Sequence, residues 1–112
     1  MPTAKNVPQR RKPAASRKMI VVGTVNNPAY AQRVDAEAYE AMRKTMMKVL
    51  PRKAPGLTQA EMWAALDKAA PKKLFAGRWK VGWWMKTVQL DLEAKQIVVR
   101  EDTKPLRWHR VR

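Results

Sequence analysis

Val81, Trp84, Met85, Val88 and Leu92 fall at i, i+3, i+4, i+7 and i+11, one apolar stripe that predicts a helix over residues 80–95. Tyr39, Met42, Met46, Val49 and Leu50 repeat the pattern and predict a helix over 35–50, with Asp35 as N-cap, Glu37 in the first turn and Pro51 as terminator. A shorter helix is predicted over 58–70. Thr58 and Glu61 have capping-box spacing, Leu57 and Met62 form the matching apolar staple, and Met62, Ala65, Leu66 and Ala69 line one face before Pro71.

Two stretches carry strand character instead. The β-branched run Met19 to Val25 reads as a short strand closed by Asn26, Asn27 and Pro28. Residues 97–111 alternate on either side of Asp102-Thr103-Lys104-Pro105 and read as a hairpin. The pieces between, 51–58 and 71–80, read as connectors, with Leu74 and Phe75 filling the core from the second.

Strand, three helices and a terminal hairpin make a mainly α chain with a small β-hairpin, an α+β class. In that order they predict a winged helix-turn-helix: three helices, with the hairpin as C-terminal wing, over residues 19–112. Residues 1–18 hold Pro, Ala, Ser, Lys and Arg with almost no bulky apolar side chain, so they are expected to form a disordered basic arm. With 112 residues, a second domain has no room.

Charge changes the picture more than composition does. Lys and Arg number 24 against 9 Asp and Glu, a formal charge of +15. From residue 35 onward the chain is still +8, with 17 bases against 9 acids, so the folded part must present basic surface as well. A polyanion, nucleic acid first, is the expected partner. Without cysteine there can be no disulfide, thiolate metal site or thiol nucleophile. No apolar run approaches the roughly 20 residues of a membrane span, so no membrane partner is expected and a cytoplasmic, even nucleoid-associated, location fits. Pro2, Pro8 and Pro13 argue against a helical transit peptide.

The stretch T-V-Q-L-D-L-E-A-K-Q-I-V-V-R, residues 87–100, resembles the recognition helix and first wing strand of bacterial winged-helix regulators, with Gln96 where those proteins place a cap glycine. More closely, P-G-L-T (55–58), G-W-W-M-K-T-V-Q-L-D-L-E-A-K (82–95), P-L-R-W-H-R (105–110) and V-D-A-E-A-Y-E-A-M-R (34–43) resemble an uncharacterised bacterial domain-of-unknown-function family of small basic proteins. The resemblance supports the winged-helix layout and implies no activity.

If the third helix buries Trp84, Met85 and Val88, its opposite stripe carries Trp83, Lys86, Thr87 and Leu90, with Lys80 ahead of it. Arg78-Trp79-Lys80 and Arg107-Trp108-His109-Arg110 interleave bases with indoles, an arrangement able to stack a nucleobase while holding its phosphate. Lys104 and Arg107 are expected to clamp phosphates from the wing, with Arg100 and Arg110 as further nucleic-acid-binding candidates, and Arg10, Arg11 and Lys12 to act as an electrostatic tether. Duplex DNA is the expected ligand, ahead of RNA or ribosome association. A protein-docking patch of Trp79, Trp83 and Leu90 is the reading from a different class.

Nothing favours catalysis. His109, the one histidine, is expected at the surface, Asp91 and Glu93 face different directions on their helix, and no glycine-rich phosphate loop occurs. No cofactor or metal is implied.

Overall fold

The structure, a computed structural model, describes residues 18–27 and 31–112. The expected disordered arm, Lys18 apart, and with it Arg10, Arg11 and Lys12, lies outside the described residues. Strand β1 (Met19–Val22) pairs antiparallel with β2 (Gln32–Asp35), Ile20 opposite Val34 and Val22 opposite Gln32. Helices α1 (Ala36–Val49), α2 (Gln59–Ala69) and α3 (Arg78–Ala94) follow, with the two-residue strand β3 (Leu57–Thr58) between the first pair. The chain closes with β4 (Val98–Glu101) and β5 (Arg107–Arg110), and the second sheet has the order β3-β5-β4, all antiparallel.

The first strand therefore stops three residues earlier than its composition suggests. The chain turns at Thr24, whose carbonyl accepts the Asn27 N–H and whose hydroxyl accepts the Asn26 N–H. β2 has no counterpart among the expected elements, and β3 falls in the connector expected over 51–58. Each exists because a partner lies opposite: β1 for Gln32–Asp35, and Arg107 and Trp108 for Leu57–Thr58.

The helix ends follow local chemistry. Asp35 accepts the Ala38 N–H, and Thr58 and Glu61 complete their capping box. At the end of α3 the Ile97 N–H reaches Leu92 O and the Gln96 N–H reaches Glu93 O, with Gln96 at φ 62°. This is a left-handed helix stop held by a residue other than glycine, which costs about 1–2 kcal/mol.

All five residues of the α3 stripe are buried, and they meet Tyr39, Met42 and Met46 of α1, Met62 and Leu66 of α2, Phe75, Val98 and Trp108. On α2 the fit differs slightly from expectation: Ala69 is exposed and Ala70, the C-cap, is buried in its place. Two glycines set close approaches. A Cβ on Gly82 would lie 2.3 Å from the Trp63 indole, and one on Gly56 would lie 1.9 Å from the carbonyl oxygen of Trp108.

Replacing Gln96 with glycine should therefore raise stability by about 0.5–1 kcal/mol, once the greater freedom of glycine in the unfolded chain is subtracted. Urea unfolding followed by circular dichroism would show a higher midpoint at unchanged slope, and an unmoved or lower midpoint would contradict the left-handed cap.

Candidate nucleic-acid interface

Two carboxylates decide which side of α3 is free. Asp91 and Glu93 flank Leu92 of the apolar stripe, so at 3.6 residues per turn they leave the helix about 200° apart. Both are buried. Asp91 accepts the Gly23 backbone N–H at 2.9 Å, the Lys95 ammonium at 2.8 Å and the Tyr39 hydroxyl, joining α3 to the loop after β1 and to α1. Glu93 accepts from Arg100 Nε at 2.9 Å, Trp108 Nε1 at 3.1 Å and Gln89 Nε2 at 3.0 Å, joining the same helix to β4 and β5. A buried carboxylate without such partners would be strongly unfavourable, so each contact set is a structural requirement.

Several of the expected nucleic-acid contacts have partners inside the fold. Arg100 is ion-paired with Glu93 and its guanidinium lies 5.7 Å from the Trp108 ring centroid. Arg107 donates to Gly56 O at 2.9 Å and to Glu61 at 3.3 Å, while Arg110 donates to Leu50 O at 3.1 Å and also to Arg112 O. All three arginines of the hairpin thus have partners within the fold, Arg100 tying the sheet to α3, and Trp108 is buried as its anchor. Lys104, at the turn, is exposed and has no ion pair among the described residues. His109 is not a surface residue: it is half-buried, with Nδ1 2.7 Å from Glu101 Oε2, the oxygen that also accepts the Gly56 N–H.

On α3 the expected stripe divides in two. Thr87 and Leu90 are half-buried and line, with Lys86, a cleft of about 300 Å³ whose other wall is Val22, Gly23 and Thr24. The loop fastened by Asp91 therefore stands beside the C-terminal half of the helix. The N-terminal half is open: Arg78, Lys80 and Lys86 are exposed, Trp79 is 79 % exposed and Trp83 is 40 % exposed. Trp83 rests edge-on against Trp84 at 5.1 Å, and Trp84 against Phe75 at 6.1 Å, so the outer ring is seated on the core. Arg78 lies over Trp63 at 4.5 Å and its carbonyl accepts the Trp63 indole N–H.

A family model, described as a family of unknown function (DUF6958), matches residues 19–108. The chain belongs to this family. No curated protein and no solved structure matches it. In this DUF6958 chain most acids already have partners: Asp35, Glu40, Glu61, Asp91, Glu93 and Glu101 are each hydrogen-bonded within the fold. Arg43 holds the Glu40 carboxyl below the usual carboxylate range, and the Thr58 N–H with Arg107 does the same for Glu61. Among the described residues no three His, Asp or Glu side chains converge to hold a metal ion, and no helix is long and apolar enough to cross a membrane.

The signal for Asp91 and Glu93 was present in the sequence as two charges bordering an apolar stripe. Their partners were not, since Tyr39 and Gly23 lie 52 and 68 residues away.

Burial and then the bond to Asp91 push the Tyr39 phenol well above its ordinary value. The unfolded chain releases this proton near pH 10 and the folded chain keeps it, so the contribution is intact below that pH and is lost as pH rises further. In a Tyr30→Phe background, where Tyr39 is the remaining tyrosine, phenolate absorbance should appear together with loss of helical circular dichroism. Ionisation near pH 10 with native dichroism retained would refute the buried bond.

Proposed function

We propose that this chain is a non-catalytic nucleic-acid-binding module of the winged-helix type, which meets duplex DNA through phosphate contacts centred on the first half of α3. The winged-helix reading is supported by the order α1, β3, α2, α3, β4, β5 and by the sheet order β3-β5-β4, in which the last strand runs between the other two. The observation that carries the binding function is the face of Trp79, Lys80, Trp83 and Lys86, with Arg78 exposed at the helix start, which has no acid among its residues and none in the first turn of its helix.

That placement opposes what stability alone would favour. Cations at a helix N-terminus oppose the macrodipole, and α3 begins at Gly77 without a side-chain cap. A face that concentrates positive potential at some cost in stability fits a polyanion. Lys104 at the hairpin turn and the basic residues ahead of Lys18, Arg10, Arg11 and Lys12 among them, add to the same field.

A protein-docking role is the second reading, favoured by exposed Trp79 and Trp83. The lysines on the same face weigh against an apolar partner, whose binding would leave them desolvated.

Affinity for duplex DNA should fall with salt along a log–log line whose slope is about −0.9 for each phosphate neutralised. Lys80→Glu should make the slope shallower by about one phosphate while raising stability by about 0.3–1 kcal/mol, because an acid in the first turn complements the helix dipole. Fluorescence anisotropy and urea unfolding on the same variant measure both. No binding even at low salt, or an unchanged slope, would overturn the proposal.

A further inference from the structure

The open half of α3 offers charges and ring faces but no free forked side chain to read base edges. Groove readout is most discriminating from the forked groups of Arg, Asn and Gln, with lysine able to reach guanine. On α3 the guanidinium of Arg78 is stacked on Trp63, and Gln89 is buried with its amide nitrogen on Glu93. Beyond the helix, Arg100 is held by Glu93. Lys80 and Lys86 remain, and an ammonium is a point charge suited to phosphate.

What stands beside those lysines is an indole with most of its surface in water. Trp79 is 79 % exposed, and no ring contact involves it among the described residues. Trp83 is one helical turn on, so the two indoles share a face. Its ring is backed through Trp84 to Phe75, which fixes the platform before any ligand arrives. The loop from Val22 to Thr24, standing beside Thr87 and Leu90, leaves only the first half of α3 to approach a ligand.

We propose that Trp79, with Trp83 beside it, stacks on an unpaired nucleobase while Lys80 and Lys86 hold the adjoining phosphates, so that the module binds single-stranded nucleic acid or a single-stranded flank more tightly than uninterrupted duplex. This rests on the nucleic-acid reading above and specifies its ligand. A paired base presents its ring face only at a helix end, whereas every base of a single strand can offer one. Readout of this kind tolerates any sequence, which agrees with the lack of a free forked side chain. DNA and RNA strands share this chemistry.

The full chain is titrated with four labelled ligands, each strand ~12 nucleotides long: a thymidine strand, a uridine strand, a blunt duplex, and an abasic strand with the same backbone. Wild-type protein is expected to bind the thymidine or uridine strand roughly tenfold to a hundredfold more tightly than the abasic strand, with quenching of indole fluorescence. Trp79→Ala should remove most of that advantage, Trp79→Phe should keep most of it, and neither should change duplex affinity more than about twofold. Because Trp79 is exposed, unchanged circular dichroism is expected for both variants. The tighter of the two base-bearing strands shows whether the DNA-type or the RNA-type strand is preferred.

Equal affinity for abasic and base-bearing strands, or an equal loss on strand and duplex in Trp79→Ala, overturns the stacking claim while leaving phosphate binding standing. Failure of every ligand to bind at low salt removes the nucleic-acid reading itself. Loss of binding to an apolar peptide column in Trp79→Ala, with no nucleic acid bound, would assign the indoles to a protein partner.

Discussion

Two buried carboxylates, two residues apart on one helix, hold the rest of this structure in place. Isolated in the interior, either charge would be too costly to keep, so Asp91 and Glu93 each persist only with a full set of donors. The two sets come from opposite directions and share no residue. One draws in the turn after β1 and the α1 tyrosine, the other the hairpin of β4 and β5. The orientation of α3 is thus set from both sides, and with it the choice of residues left facing water.

The same arrangement explains the electrostatics. A chain with 24 basic and 9 acidic residues could distribute its acids as surface partners for its lysines. Here Asp35 caps a helix, Glu61 closes the capping box of α2 and Asp91 and Glu93 sit in the core, and the bases that meet these acids include Arg100 and Arg107 of the hairpin and Lys95. The lysines at the open end of α3 and at the hairpin turn are left to define the field. Because arginine offers a rigid fork of donors and lysine a mobile point charge, this division assigns arginine to architecture and lysine to the exterior.

The helices were legible because periodicity and caps are local. The stripe from Val81 to Leu92, the Asp35 cap and the Thr58–Glu61 pairing were all predicted and are all present. The strands were less legible. Gln32–Asp35 and Leu57–Thr58 have little strand character of their own, and their pairing depends on residues elsewhere in the chain. The internal partners of the candidate phosphate contacts were hidden for a related reason. A count of arginines registers charge but not the carbonyl or carboxylate that engages it, and for Arg107 and Arg110 those lie 51 and 60 residues away. On the helical run, periodicity alone was enough to set Trp79, Trp83 and Lys86 side by side.

The independence of the two carboxylate clusters bears on how sequences of this family can diverge. A chain that loses the acid at position 91 strands the phenol at 39 and the ammonium at 95, so those three positions should drift as a set. Positions 93, 100 and 108 form a second set under the same logic, and the two sets have no hydrogen-bond partner in common. The polar contacts of one cluster can therefore be exchanged without leaving a donor or acceptor of the other unpaired.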